Sequence, residues 1–111
     1  MNMDERRKFE RIALPDSTKV FAHNAHGERL GRIRMIGRGG LLVETRQTIA
    51  PGSHHELVLV DDTEGIKRPV PVVARYASPQ GIGFEFESLE PDAAVEIGVI
   101  IGKYYSATAG H

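Results

Sequence analysis

The sequence contains no cysteine, and that absence excludes a disulfide framework, a thiolate nucleophile and a thiolate metal site. It also contains no apolar run near the ~20 residues that a membrane-spanning helix requires, and its charged start does not resemble a secretory signal. We therefore expect a cytoplasmic protein with no membrane insertion. Aromatic residues make up only 6% of the chain, which leaves few side chains for stacking on unpaired bases once a core is filled.

The composition is otherwise that of one soluble domain: 111 residues, of which 41% are hydrophobic and 26% charged. A net charge of −1 conceals an uneven distribution. Residues 1–46 carry ten Lys and Arg against six Asp and Glu, whereas residues 47–111 carry four against nine. The basic first half indicates an anionic ligand near the N-terminal half of the chain. It does not indicate a nucleic acid polymer, for which a basic domain overall is the usual pattern.

Short apolar segments separated by turn residues occupy the middle of the chain. Their alternation and spacing predict about six strands in a sandwich or small barrel. Pro69 and Pro71 place the start of the fifth segment at an edge or a bulge. The segments are 19–23, 29–36, 41–45, 56–60, 70–76 and 81–87.

A helix is predicted after the last strand. Pro91 suits a first helical turn, and Asp92 lies near the positive end of the helix dipole. Gly98 and Gly102 each cost about 1 kcal/mol relative to alanine, so the helix must rely on docking. Its core-facing residues would be Ala93, Ile97, Ile100, Ile101 and Tyr104. We thus divide the chain into a flexible basic arm (1–12), a barrel with its helix (13–105) and a disordered tail (106–111).

The basic arm contains the most distinctive spacing in the sequence. Arg7 and Arg11 bracket three residues as R-x-x-x-R, and Arg6 and Lys8 lie beside them. Guanidinium groups pair with phosphate oxygens through a rigid fork and also stack on flat rings. The alternative interpretation is a solvated terminal cluster of charge.

An R-x-x-x-R arm directly before a small β-barrel resembles the PilZ family, whose members bind the bacterial second messenger cyclic di-GMP. The resemblance covers about residues 5–105 and includes Gly81–Phe86, which is similar to a glycine-aromatic strand late in the family's barrel. It implies a mainly β fold: a small antiparallel barrel of six to seven strands, of split-barrel type, with an N-terminal arm and a C-terminal helix. It also implies a cyclic di-GMP receptor with no cofactor.

The same resemblance implies roles for individual residues. Arg7 and Arg11 would bind the phosphates and guanines. Arg6 and Lys8 lie outside the strict motif and are neighbours that could add phosphate contacts. The family's second motif, [D/N]-x-S-x-x-G, aligns with residues 35–40, where only Gly40 is kept. Met35 has no strong hydrogen-bonding group to read a guanine edge. Together with the hydroxyl missing at Gly37, this predicts binding weakened by about a hundredfold or more.

Two interpretations of the glycine-rich loop remain open. Arg38 and the exposed N–H groups of Gly37, Gly39 and Gly40 can form an anion-binding nest that keeps affinity for phosphate. Alternatively the loop is only a tight bend, and Met35 joins the core by strand alternation.

Other polar clusters predict little chemistry. The histidine pairs 23/26 and 54/55 lack the spacing and the neighbouring ligands of a metal site. No Ser-His-Asp set, phosphate-binding P-loop or pair of apolar-embedded carboxylates is evident, so we expect neither an enzyme nor a metal site.

These observations favour a cyclic di-GMP receptor that passes its signal to an unidentified effector protein. A second hypothesis is a PilZ-fold interaction module that has lost the ligand and serves type IV pilus or motility machinery, as Met35 and Gly37 would suggest. A third, a small nucleic-acid-binding barrel, is weakened by the few aromatic residues.

Overall fold

The computed structural model describes residues 11–109, with side chains through Tyr105. Seven strands and one helix form, of which the last six strands and the helix follow the order that the sequence pattern predicts and the first strand was not predicted. They are β1 (Arg11–Ala13), β2 (Val20–His23), β3 (Arg29–Gly37), β4 (Gly40–Glu44), β5 (His54–Asp61), β6 (Ile66–Ser78), β7 (Gly81–Phe86) and α1 (Pro91–Ala109).

Six of the strands close into an antiparallel barrel. Their order is β3-β2-β5-β6-β7-β4, and the pairing of β4 with β3 closes the sheet on itself. The short β1 pairs outside this ring, antiparallel to β3, with Ala13 opposite Met35. The mainly β barrel of six to seven strands with a C-terminal helix is therefore confirmed.

Inward-facing aliphatic side chains and Phe84 fill the barrel, and α1 packs against it. Because strand side chains alternate, Leu41 and Val43 of β4 point inward, as do Ile82 and Phe84 of β7. The helix contributes the buried side chains of Ala93, Ile97 and Ile100.

The two prolines lie inside β6, which begins at Ile66 and so is longer than the sequence predicted. The backbone N–H of Glu87 donates to the carbonyl of Pro71 at 2.8 Å. The N and O atoms of a strand residue point to the same side, so the ring nitrogen of Pro71 also faces Glu87 and not β5. The ladder between β5 and β6 therefore needs no N–H donor at this position.

The element boundaries differ from the sequence-based division at both ends. Arg11 and Ile12, which we assigned to the arm, form β1 and are held by β3. The helix continues to Ala109, beyond the end expected at 105. Residues 1–10 and 110–111 lie outside the described residues, so the flexible arm and disordered tail stay predictions there. No helix within residues 11–109 is long and apolar enough to span a membrane.

Candidate ligand-binding site

Two β-bulges shape the outer surface of the barrel. Between β3 and β4 the register shifts around Arg34, so that Ile33 faces Val43 and Met35 faces Leu42. Between β6 and β7 it shifts around Arg75. A bulge adds one residue to one strand and so reverses the faces of the side chains that follow it. Met35 and Tyr76 consequently point outward, where simple alternation would point them into the core.

The outward side chains form a row across five strands. Residues directly opposite each other in an antiparallel pair share a face. Cross-strand pairing links Ala13 to Met35, Met35 to Leu42, Leu42 to Gly83 and Gly83 to Tyr76. We call these five residues the outer row. It is apolar apart from the hydroxyl of Tyr76.

Arg11 reaches from β1 to the far end of this row. Its Nη1 atom donates to the Tyr76 hydroxyl at 2.8 Å, and its Nη2 atom donates to the Phe84 carbonyl at 3.3 Å. The centre of the guanidinium lies 5.9 Å from the centroid of the Tyr76 ring. The guanidinium is thereby fixed on the surface of the sheet, although it belongs to the strand farthest from Tyr76 in the row.

The absence of a side chain at Gly40 makes this path possible. A Cβ at that position would overlap the Phe84 carbonyl oxygen and lie 3.1 Å from Nη2 of Arg11. The backbone of Gly40 does not have a positive φ. Close approach, and not turn conformation, therefore requires glycine here.

Tyr76 is held in a similar way by Gly83. A Cβ at Gly83 would overlap three atoms of the tyrosine ring, so the ring rests on glycine backbone. The side chain nevertheless remains exposed to 43%. One aromatic surface thus stays available to a ligand beside a fixed guanidinium.

These groups border an open cleft of about 570 Å³. Clefts of this size accommodate small ligands. Arg38, exposed in the turn between β3 and β4, faces the cleft and forms no ion pair with any described residue. Arg75 also borders it but is paired with Glu85 at 2.9 Å. The lining is Arg11, Arg38, Gly39, Arg75, Tyr76, Glu85, Phe86 and Leu89.

The structure brings together most of the predicted site residues that it describes. Arg11, Arg38 and Gly40 meet at one end of the sheet, and Gly37 pairs with Arg11 through the backbone. Arg6 and Arg7 lie outside the described residues, so their roles stay predictions.

The two interpretations of the glycine-rich loop have different outcomes. Residues 38 and 39 form a tight bend between β3 and β4, as the second interpretation predicts. Its expectation that Met35 joins Ile33 in the core is wrong, because the bulge at Arg34 turns Met35 outward and places Ile36 in the core. Gly37, Gly39 and Gly40 lack the positive φ of the αR-αL form of nest, so an anion-binding nest stays a prediction only in its turn form. Met35 is half-buried on the outer face of the sheet.

Tyr76 is the residue that sequence reasoning missed. Its position two residues after Ala74 suggested an ordinary strand residue, and only the bulge separates the two faces. The available signal was the outward face of β7, where Gly81 and Gly83 carry no side chain. A glycine on the outer face of a central strand marks a site of close approach.

A second cleft, of about 670 Å³, opens at the other end of β4. Its Arg32 is engaged by Asp16 and Glu44 at 3.3 and 3.4 Å, which leaves Arg46 as its exposed cation. Among residues 11–109, no group of three or more histidine or acidic side chains is placed to hold a metal ion.

Comparison with known proteins agrees with this architecture. The PilZ domain family model matches residues 5–102. Among solved structures, the chain is similar to the PilZ domain with c-di-GMP of YcgR from Escherichia coli, with a TM-score of 0.71 and 18% identity over 92% of this chain and 93% of that chain. At that identity the likeness shows the fold. No match was found among curated proteins.

Proposed function

Because the family model matches residues 5–102, the chain belongs to the PilZ domain family, and we propose that it is a non-catalytic receptor for cyclic di-GMP. The observation that carries the proposal is the position of Arg11. The second arginine of R-x-x-x-R lies against Gly40, the last residue of the second motif, in a cleft that Arg38 also borders. The solved relative described with c-di-GMP has the same fold.

The proposed binding mode follows from the charges and surfaces of the cleft. Arg11 and Arg38 pair with phosphate oxygens, since a guanidinium offers a bidentate fork to such anions. Tyr76 offers its exposed ring to a base. Arg7 lies four residues before Arg11, so its Cα is at most about 14 Å away and its side chain can close over the same ligand. Arg6 adds a further phosphate contact.

Signalling would follow from the change in surface at the cleft. Closing residues 1–10 over a bound dinucleotide alters what the barrel presents to an effector protein, and a ligand shifts a protein toward the state that it binds more tightly. The identity of that effector and the cytoplasmic location stay predictions.

A titration with cyclic di-GMP, followed through backbone amide shifts, tests the receptor. Saturable shifts at Arg11, Gly37–Gly40 and Tyr76 are expected. Arg11→Ala should weaken binding by about a hundredfold, because a fixed charge-assisted pair is lost. Arg46→Ala is the matched control, since it removes the same charge from the second cleft. Unchanged affinity in both Arg7→Ala and Arg11→Ala would rule out the site.

The interaction module remains the second candidate function. Met35 and Gly37 favour it, and so does the outer side of α1, where Val95 is exposed to 64% and Val99 to 47%. The same titration separates the two candidates, because a module that has lost its ligand shows no shift even at millimolar cyclic di-GMP.

A further inference from the structure

The side of α1 that points away from the barrel carries no charged residue along its middle turns. This side contains Val95, Gly98, Val99 and Gly102, which we call the helix stripe. The two valines are exposed to 64% and 47%. A surface helix usually turns polar and charged side chains toward water, so an exposed apolar stripe of this kind indicates a surface that another molecule covers.

The charged side chains of α1 that lie beside the helix stripe are engaged by the barrel. Glu96 accepts a hydrogen bond from Nε of Arg68, and Nζ of Lys103 lies 2.8 Å from a carboxylate oxygen of Glu64. All four side chains are partly buried in these pairs or exposed to at most 40%. A partner that covers the helix stripe therefore does not have to desolvate an unpaired charge on it, which is the costly step in burying a polar surface.

No contact within residues 11–105 requires the two glycines of the helix stripe. A Cβ at Gly98 or Gly102 would meet no described atom within 4 Å, and neither glycine has a positive φ. Each nevertheless costs the helix about 1 kcal/mol relative to alanine. A second helix packed against the stripe would use the space, because small residues at a contact allow two helix axes to approach more closely.

The order of residues in the helix stripe fits a second copy of the same helix. In an antiparallel pair with a two-fold axis between Gly98 and Val99, Val95 faces the partner's Gly102, and Gly98 faces the partner's Val99. Each valine then enters the space that a glycine leaves. A parallel pair would instead set valine against valine and glycine against glycine. A two-fold interface has to be complementary to itself, and only the antiparallel arrangement makes this stripe so.

We propose that α1 is a self-association site, through which two copies of this chain form an antiparallel helix pair. The helix has 19 residues, so it is about 28 Å long and about 10 Å wide, and the contact covers on the order of 300 Å² on each copy. A standard interface covers about 800 Å² on each partner. The pair is therefore weak and reversible, dissociated at about 10 μM and populated near about 1 mM. Unfolding experiments at about 5 μM report on the monomer.

Sedimentation equilibrium of the full chain without ligand, from about 10 μM to about 1 mM, tests self-association. The average mass should rise with concentration from 12.2 kDa toward the mass of two chains. Val99→Glu should weaken association by at least about tenfold, because it buries a charge in both copies. Thr48→Glu, which adds the same charge in the loop between β4 and β5, should leave association unchanged. A constant monomer mass, or full association of Val99→Glu, overturns the inference and leaves the stripe to residues 1–10 or to another protein.

A mixing experiment tests the antiparallel register. Gly98→Val sets a valine against the partner's Val99, and Val99→Gly leaves the space at the partner's Gly98 empty, so each variant alone should associate at least about tenfold more weakly. A mixture of the two variants should recover association, because every valine again faces a glycine. Circular dichroism checks that both variants keep the wild-type fold. A mixture that associates no better than the separate variants overturns the inference.

Discussion

The guanidinium of Arg11 lies in the space that a side chain at Gly40 would need, with Nη2 3.1 Å from the position of a Cβ there. The arginine belongs to an outer strand and the glycine begins a barrel strand, so the fit exists only in the folded protein. Close packing thus links Arg11 of the R-x-x-x-R spacing to Gly40 of the glycine-rich loop.

Gly40→Ala tests this fit. The added methyl group overlaps the Phe84 carbonyl oxygen and displaces Arg11. We expect a loss of about 1–3 kcal/mol in the free energy of unfolding, as for other overpacked sites, and weaker binding of cyclic di-GMP. Urea denaturation and calorimetry measure the two effects. Binding of the folded variant with wild-type affinity would show that the position of Arg11 does not matter.

Gly83→Ala and Tyr76→Ala form a double-mutant cycle. The alanine methyl overlaps the ring of Tyr76, so Gly83→Ala alone should cost about 1–3 kcal/mol of unfolding free energy. In the Tyr76→Ala background the obstructing ring is absent, and the cost should fall by at least about 1 kcal/mol. Strict additivity in urea denaturation would contradict the contact.

Gly98→Ala should stabilise the protein. A Cβ at this helical position meets nothing within 4 Å, and alanine is favoured over glycine in a helix by about 1 kcal/mol. Gly102→Ala repeats the test one turn later, where the space is also open. Thermal and urea unfolding measure the gain. Destabilisation at both positions would mean that the exposed side of α1 is covered in solution.

Asp61→Ala should destabilise the loop between β5 and β6. The carboxylate is fully buried and accepts from the backbone N–H groups of Thr63 and Glu64 at 2.9 and 3.3 Å. Loss of hydrogen bonds to a charged acceptor costs about 1.5–3 kcal/mol. The exposed Asp62 is the matched control, and its replacement by alanine should change stability by less than about 0.5 kcal/mol. Equal losses in the two variants would contradict a special role for Asp61.

His23 makes stability depend on pH. Partial burial, followed by the nearby charges of Arg29 and Lys67, lowers the pKa of this imidazole below its ordinary value of 6.5. The unfolded chain therefore binds the proton more readily, and this part of the stability is lost as pH falls below 6.5. Melting temperatures at about pH 7 and 5.5 should differ less in His23→Gln than in the wild type. Equal differences would contradict the shift.

Much of the fold could be predicted from local pattern. The alternation of Ile82, Phe84 and Phe86 identified β7, and the helical spacing of Ala93, Ile97 and Ile100 identified the docked face of α1. The prolines of β6 led to a wrong prediction of where this strand begins, because a proline interrupts a strand only where its missing N–H would have donated across the ladder. Whether an N–H is needed at Pro71 depends on residues that lie in other parts of the chain.

The site could be predicted only in part. The R-x-x-x-R spacing and the glycine-rich loop indicated the candidate residues, and Arg11 and Arg38 do line one cleft, with Gly40 beside Arg11. The interpretation that put Met35 in the core was wrong, and Tyr76 was overlooked, for the same reason. Each follows a bulge, and alternation counted along one strand cannot detect a residue that its partner strand leaves unmatched.

The sequence alone determined the order of the elements from β2 to α1, the core faces of β7 and α1, and the position of the basic motif, because turn chemistry and side-chain periodicity depend on neighbours along the chain. Only the tertiary structure decided which way Met35 and Tyr76 face and that Arg11 lies against Gly40. Those outcomes depend on cross-strand register and on contacts between distant segments, so their physical cause lies in the partner strands.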